Sequence, residues 1–152
     1  MTEYLTEENF TIRRVHRAPR ALVFACMTQP EHLTHFWGPE GMHTPLENII
    51  VDLRPDGAFE TTMVNSVTGD THTMRARYVS VSPTSFLSWR EVDSGVLTEN
   101  RFTDLGDRTT EVVTTQSGLP ARMRTPEARA GWVTAVDRGV TYTESLAAEA
   151  AS

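Results

Sequence analysis

Four polar side chains are candidates for chemistry or ligand recognition in this sequence: His72, Tyr78, Asn100 and Gln116. A histidine or a tyrosine can act as a general acid or base when it lies within hydrogen-bonding reach of a substrate. The amides of asparagine and glutamine both donate and accept hydrogen bonds. A few polar groups that converge inside apolar walls are typical of a small-molecule site, so the walls around these four residues decide what they can do.

The apolar walls would come from aromatic residues on separate elements, with smaller neighbours beside them. On strand alternation, for example, Phe59, Thr61 and Met63 share one face. A simpler interpretation is that most of the aromatic residues only fill the core, and both interpretations stay open. No catalytic residue is assigned, and the predicted ligand-binding residues are Phe36, Trp37, Phe59, Thr61, Met63, His72, Met74, Tyr78, Trp89, Asn100, Phe102, Gln116, Trp132, Val136, Gly139 and Thr143.

Metal chemistry would have to come from His32, His35 and His43, with Glu31 adjacent. Zinc sites use such spacings. However, Glu31 is an early helical residue, where the helix dipole favours a carboxylate, and no cysteine accompanies the histidines. We therefore expect no metal site and no cofactor.

Nucleophilic catalysis is not favoured either. The single cysteine, Cys26, lies beside Phe24 and Met27, and a buried thiol in apolar surroundings is unreactive. The sequence has no Gly-x-Ser-x-Gly elbow and no glycine-rich phosphate loop. It therefore argues against both a covalent hydrolase and nucleotide chemistry.

Short strands and two short helices must position these residues. Pro19 and Pro30 mark the starts of helices at residues 21–27 and 29–36. Period-two alternation between Gly, Asp and Pro turns predicts an antiparallel meander. Its strands are expected at residues 10–17, 58–67, 71–81, 86–92, 96–105 and 108–116, with a further alternating stretch at Ile49, Val51 and Leu53.

The longest helical pattern covers residues 127–148. On one face it carries Trp132, Val136, Gly139, Thr143 and Leu146. A glycine inside a helix costs about 1 kcal/mol relative to alanine, and large aliphatic residues would be usual at this face. The small residues Gly139 and Thr143 therefore form a notch in this face of the helix. We interpret the notch as a gap that a ligand can fill, and the alternative is that a bulky sheet residue fills it. A lone long helix after many strands is expected to cross one face of the sheet, which predicts an α+β fold.

Length and charge set further bounds. The 152 residues suit one domain, residues 1–152, and the net charge of −6 argues against nucleic acid and anionic membranes. No apolar run approaches membrane-spanning length and the start lacks a signal-peptide core, so a cytoplasmic protein is expected. Cross-strand charge pairs are expected on the outer surface, where Arg75, Arg77 and Arg101 would face Glu91 or Glu99.

Several short runs match one known family in residue type and in order. They are residues 24–33 (FACMTQPEHL), 36–41 (FWGPEG), 52–57 (DLRPDG) and 117–120 (SGLP), followed by Gly131-Trp132 and Asp137-Arg138. On these runs the chain resembles the homologues of the heat-shock-protein-90 ATPase activator, in the START-like or SRPBCC superfamily. The resemblance implies a helix-grip fold, a curved antiparallel sheet of six to seven strands around a long C-terminal helix, with two short helices after strand one. The chain departs from the family at Gln116, where histidine is common, and at Gly139 and Thr143, where leucine is usual.

The superfamily includes lipid and hormone carriers, polyketide cyclases and self-resistance proteins. This resemblance, the notch at Gly139 and Thr143 and the aromatic residues together leave three hypotheses open. The first is binding of a small hydrophobic, aromatic or polyketide-like ligand between the sheet and the last helix. The second is a cyclase or dehydratase in the same cavity, with His72 or Tyr78 as acid or base, which a carboxylate beside either would favour. The third is a module that interacts with a chaperone or a regulator. The expected partner is a small hydrophobic molecule, with no nucleic acid and no membrane, and a homodimer is left open.

Overall fold

The structure is a computed structural model that describes residues 3–5 and 8–151, with side chains from residue 8 onward. Residues 1–2 and 6–7, at the start of the chain where no signal-peptide core was found, lie outside the described residues. The elements within them are the helices α1 (Arg20–Thr28), α2 (Pro30–Leu33) and α3 (Pro126–Ala151), and the strands β1 (Glu3–Leu5), β2 (Phe10–His16), β3 (Met42–His43), β4 (Ile49–Val51), β5 (Ala58–Asn65), β6 (Thr71–Ser82), β7 (Phe86–Glu91), β8 (Leu97–Gly106) and β9 (Thr109–Ser117).

All nine described strands form one antiparallel sheet in the order β1-β2-β9-β8-β7-β6-β5-β3, with β4 also paired to β5. The register of β6 against β7 shifts between Tyr78 and Ser80, and such a bulge bends a strand and increases its twist. The sheet curls into a half-barrel with α3 across its concave face. The predicted α+β helix-grip fold is therefore confirmed. The two strands that the sequence did not predict, β1 and β3, are only three and two residues long.

Two contacts hold α3 against the first long strand. Near the start of the helix, the rings of Trp132 and Phe10 lie 5.1 Å apart. About three turns further along, His16 at the end of β2 hydrogen-bonds to Thr143 with a distance of 2.7 Å between Nδ1 and Oγ1. Strand and helix therefore run in the same direction and are fastened at both ends.

The loop after α2 is fastened to the other side of the helix by Arg138. Its guanidinium donates to the carbonyl oxygens of Gly38, Pro39 and Met42, at 2.7, 2.9 and 3.1 Å. Hydrogen bonds from a charged donor are stronger than neutral ones. A segment rich in Gly and Pro thus gains a fixed position over one edge of the helix.

The notch at Gly139 is occupied, but not by a sheet residue. A Cβ at position 139 would lie 3.2 Å from Cε2 and 3.3 Å from Cδ2 of Phe36, in the turn after α2. The Phe36 ring also stacks on Tyr142 at 5.4 Å. The glycine therefore admits an aromatic ring close to the helix axis, and the open space lies beside that ring rather than directly beneath position 139.

This packing predicts opposite consequences for two glycines of one helix. Gly131→Ala should stabilise the protein by up to about 1 kcal/mol, the helix-propensity difference, because its Cβ would meet only Pro39 at an ordinary 3.8 Å. Gly139→Ala should gain less, because Phe36 must move, and Gly139→Leu should lose roughly 1–3 kcal/mol through overpacking. Urea denaturation of the three variants measures this, and equal gains from the two alanines would show that Phe36 exerts no constraint.

Candidate functional site

A cavity of about 450 Å³ lies between the concave face of the sheet and α3. Ligand pockets for small molecules usually have volumes of about 300–1,000 Å³. The cavity has this size and lies where the helix and the curled sheet diverge. Its lining comprises Arg14, His16, Val23, Met27, Phe36, Trp37, Gly38, Pro39, Thr61, Met63, His72, Met74, Trp89, Glu91, Thr98, Asn100, Val112, Thr114, Gln116, Met123, Glu127, Ala128, Gly131, Trp132, Ala135, Val136, Gly139 and Thr143.

The structure brings most of the predicted site residues together around this cavity. Those that line it are Phe36, Trp37, Thr61, Met63, His72, Met74, Trp89, Asn100, Gln116, Trp132, Val136, Gly139 and Thr143. Phe59, Tyr78 and Phe102 do not. Phe59 stacks on Tyr78 at 5.3 Å, Phe102 meets Phe24 at the same distance, and all three predicted residues are fully buried in the core.

The two ends of the cavity differ in exposure. His72 and Glu127 are exposed at the end where α3 begins. Val23, His16 and Thr143 are buried at the other end, where α1 packs against the sheet. The cavity therefore opens near the start of α3 and is closed beneath its middle. We call the first the mouth (His72, Glu91, Met123 and Glu127) and the second the closed end (His16, Val23, Met27 and Thr143).

The closed end contains a buried polar pair, His16 and Thr143. Only 7% of His16 and 2% of Thr143 are exposed. Nδ1 of His16 lies 2.7 Å from Oγ1 of Thr143, and the threonine hydroxyl also donates to the carbonyl of Val140 at 3.1 Å. The histidine is therefore held in one orientation by the helix that covers the cavity.

Burial determines the charge of His16. Loss of hydration disfavours the imidazolium and lowers the pKa of His16 from 6.5 to about 4, although the Glu144 carboxylate on α3 acts to raise it. His16 is therefore neutral near pH 7. A neutral imidazole has one donor and one acceptor nitrogen.

A polar stripe crosses the cavity wall on β8 and β9. Asn100 pairs with Thr114, and Thr98 pairs with Gln116, in the antiparallel register. The Asn100 amide donates to the carbonyl of Leu87 at 3.1 Å, and its oxygen accepts from the Thr114 hydroxyl at 2.9 Å. The hydroxyl of Thr98 is buried and has no hydrogen-bond partner among the described residues. The pair Asn100 and Thr114 is thus satisfied internally, which limits the cost of burying it.

All three tryptophans of the chain, Trp37, Trp89 and Trp132, line the cavity. Trp37 is positioned by a hydrogen bond from its indole nitrogen to the Thr61 hydroxyl at 3.1 Å. Its ring also lies 6.1 Å from that of Trp89. These flat walls favour a flat apolar ligand, because aromatic rings pair in stacked or edge-to-face arrangements.

The mouth carries the carboxylate of Glu91, which was predicted on the wrong face of the sheet. Glu91 was predicted to face outward, opposite an arginine, but it pairs with Ala76 in the register and lines the cavity. Arg75 instead contacts Asp93 at 3.2 Å on the outer surface. Burial raises the pKa of Glu91, while its hydrogen bond with Ser94 and the charges of His72 and Arg122 act to lower it.

Sequence alternation contained a signal for the residues that were missed. Phe10, Ile12, Arg14 and His16 are alternate residues of β2, and the inward position of the first two predicts the last. The same rule extends from Asn100 to Thr98, from Gln116 to Thr114 and from Trp89 to Glu91.

Other candidate groups lie apart from the cavity. His32 hydrogen-bonds to the Tyr142 hydroxyl at 2.7 Å and His43 to Ser66 at 2.9 Å. Within the described ranges, no group of three His, Cys, Asp or Glu side chains is arranged to hold a metal ion. Cys26 is fully buried, and burial raises the pKa of its thiol to about 12.

Across residues 3–5 and 8–151, no helix is both long and apolar enough to cross a membrane.

Comparisons with known proteins give a family and a fold. A model of the family described as activator of Hsp90 ATPase homolog 1-like protein matches residues 17–142. Protein CV1439 of Chromobacterium violaceum is 20% identical, with a TM-score of 0.81 over 90% of this chain and 97% of that one. Protein NE0264 of Nitrosomonas europaea is 19% identical, with a TM-score of 0.80 over 95% of this chain and 99% of that one.

A third structure, the AHSA1-like protein of Aeromonas hydrophila, is 20% identical, with a TM-score of 0.74 over 90% of this chain and 93% of that one. No curated protein matches the sequence. At these identities the structural likeness concerns the fold alone.

The buried neutral His16 predicts a pH dependence of stability. The unfolded chain takes up a proton on His16 near pH 6.5 and the folded chain only near pH 4, so the unfolded state binds more protons between these values. The stability that neutral His16 provides is complete above pH 6.5 and is lost as the pH falls toward 4. Between pH 7 and pH 5 the loss should be about 2 kcal/mol.

Urea denaturation of the wild type and of His16→Gln at both pH values isolates this contribution, because the other titrating groups are common to the two proteins. The variant should lose less stability on acidification than the wild type. An identical loss in both proteins would contradict the assignment.

Proposed function

Because the chain belongs to the activator of Hsp90 ATPase homolog 1-like family, whose model matches residues 17–142, we propose that it binds a small hydrophobic ligand, aromatic or polyketide-like, in the cavity between the sheet and α3. The single observation that carries this proposal is a cavity of about 450 Å³ lined by all three tryptophans. If stability alone had shaped this core, side chains would fill the cavity, since each unfilled volume forfeits packing contacts.

The composition of the walls supports a ligand that is mostly apolar. Apolar surface removed from water contributes about 25 cal/mol per Å², and the Trp and Met side chains offer such surface on several sides. Met63, Met74 and Met123 add flexible thioethers that adapt to irregular shapes. The ligand would enter at the mouth and place its leading end at His16 and Thr143.

A cavity-filling variant tests the proposal. Ala135 lines the cavity on α3, whereas Ala130 is exposed on the same helix. The neutral dye N-phenyl-1-naphthylamine should bind the wild type saturably, with a rise in dye fluorescence and energy transfer from tryptophan. Ala135→Leu should weaken binding about tenfold, equivalent to 1.4 kcal/mol, because leucine occupies the dye's space, and Ala130→Leu should not change it. Absence of saturable binding, or equal effects of the two substitutions, would overturn the proposal.

A second candidate is an acid–base enzyme that uses the same cavity, and one observation favours it. His72 and Glu91 both line the mouth, and His72 is close enough to influence the Glu91 carboxylate electrostatically. A carboxyl group with a raised pKa beside a histidine is a typical acid–base arrangement. Tyr78 has no such role, because its hydroxyl is buried outside the cavity and burial raises its pKa above the usual range.

Proton exchange on 2-tetralone tests this second function. A base at the mouth would remove a proton from the carbon next to the ketone, and the enolate would take deuterium from D₂O. The enzyme hypothesis predicts that wild-type protein accelerates the exchange over the rate in buffer. With His72→Gln or Glu91→Gln the exchange should be at least about tenfold slower than with wild type. NMR follows the exchange. If wild-type protein binds the ketone but does not accelerate the exchange, the enzyme hypothesis fails and only the ligand-binding function remains.

A further inference from the structure

The His16 imidazole has one nitrogen engaged and one that is not. Nδ1 lies 2.7 Å from the hydroxyl oxygen of Thr143. Nε2 makes no hydrogen bond to any residue that the structure describes. Only 7% of the surface of His16 is exposed, so 93% of it is buried, and the residue lines the closed end of the cavity. Nε2 is accessible from the cavity, because it is not among the enclosed side-chain atoms of the described residues that lack a hydrogen-bond partner. A ligand that covers this nitrogen without supplying a hydrogen bond would leave it unsatisfied, which is costly.

The hydrogen bonds of Thr143 assign the proton on the ring. The Thr143 hydroxyl donates its one proton to the carbonyl of Val140 at 3.1 Å. With that proton directed to Val140, the Thr143 oxygen accepts from His16, and the tautomer favoured by this arrangement carries the imidazole proton on Nδ1. The other nitrogen of a neutral imidazole then carries a lone pair and no proton, so Nε2 is an acceptor.

The charges near His16 leave this assignment in place. Glu144 on α3 favours the protonated ring, but burial outweighs it and keeps the pKa of His16 near 4. Glu144 also lies 3.6 Å from Arg17. On β2 itself, Arg14 contacts Asp137 at 2.7 Å. The closed end therefore presents a neutral acceptor between ion pairs that are already formed.

We propose that the closed end selects ligands that carry an uncharged hydroxyl group on an aromatic ring, and that this hydroxyl donates a hydrogen bond to Nε2 of His16. The inference rests on the proposed function, because it names the chemical class of ligand for the same cavity. The hydroxyl would be the leading end of the molecule, and its rings would lie along the tryptophan walls toward the mouth.

Charged ligand groups fit this end less well. A carboxylate would meet the lone pair of Nε2, while the Thr143 proton is already directed to Val140. An ammonium group would lose its hydration among Val23, Met27 and Val112 without a carboxylate in contact. A phenolic hydroxyl supplies the missing donor at the smallest desolvation cost.

Two matched compounds test the proposal by isothermal titration calorimetry: 2-naphthol and 2-methoxynaphthalene. They share the ring system, but only 2-naphthol has a proton to donate. The ratio of their dissociation constants is measured for wild type and for His16→Phe, which keeps a planar ring and removes the acceptor. The preference for 2-naphthol should fall about fivefold in the variant, the effect of one net hydrogen bond.

His35→Phe is the matched control, because His35 is exposed, lies outside this cavity and stacks on Tyr142 in a way that phenylalanine can preserve. It should keep the wild-type ratio. If neither naphthalene binds the wild type, the proposed function fails and this inference fails with it. If both bind and the ratio is the same in wild type and His16→Phe, the inference alone is overturned.

A measurement on the wild type keeps the test decisive if His16→Phe does not fold. A long-range ¹H–¹⁵N NMR spectrum should identify His16 with its proton on Nδ1 at pH 7. Addition of 2-naphthol should shift the Nε2 resonance, and addition of 2-methoxynaphthalene should shift it much less. A proton on Nε2 in the free protein, or equal shifts with both compounds, would overturn the inference.

Discussion

The distance between α3 and the curled sheet is the constraint on which the rest of the structure depends. The helix is fastened at its start by Trp132 against Phe10 and further along by Thr143 against His16. Arg138 holds the loop at Gly38 on the opposite side. Because the helix is held against β2 and against this loop, it diverges from the rest of the curled sheet, and the cavity lies where the two diverge. The cavity is therefore a consequence of where the helix is attached, and its walls are as rigid as those attachments.

Much of this fold could be predicted from the sequence. The turns carry Gly, Asp and Pro, and the long strands between them alternate, so β2 and β5 to β9 were found within one or two residues of their ends. The notch at Gly139 was recognised, but its occupant was not. Phe36 reaches it from a turn about a hundred residues earlier in the chain, and no periodic pattern encodes such a contact. Glu91 was missed for a different reason, because its charge argued for the outer surface whereas alternation from Trp89 places it inside. His16 was not considered, although alternation from Phe10 and Ile12 places it inside.

The polar groups on the inner face of the sheet differ in how completely they are hydrogen-bonded within the protein. Thr114 donates to Asn100, and Asn100 donates to the backbone carbonyl of Leu87, which fixes both side chains and lowers the cost of burying them. At His16, by contrast, one nitrogen is used to hold the ring and the other faces the cavity. A polar wall that is satisfied internally tolerates many apolar ligands, whereas a single fixed acceptor distinguishes among them. Breadth and selectivity can thus come from different residues of one cavity.

The position of that acceptor determines how strongly it can discriminate. A hydrogen bond near the mouth competes with water, since His72 and Glu127 are exposed, and it contributes little to the difference between two ligands. At the closed end a bound ligand excludes water from the cavity-facing nitrogen of His16, so a ligand without a donor leaves that nitrogen unpaired and bears the full cost. The same desolvation that keeps the imidazole neutral therefore makes it selective. Affinity would arise along the tryptophan walls, in proportion to apolar area, and specificity would arise where the helix is fastened to β2. A substitution that loosens the contact between His16 and Thr143 would then affect the choice of ligand before it affected the capacity to bind one.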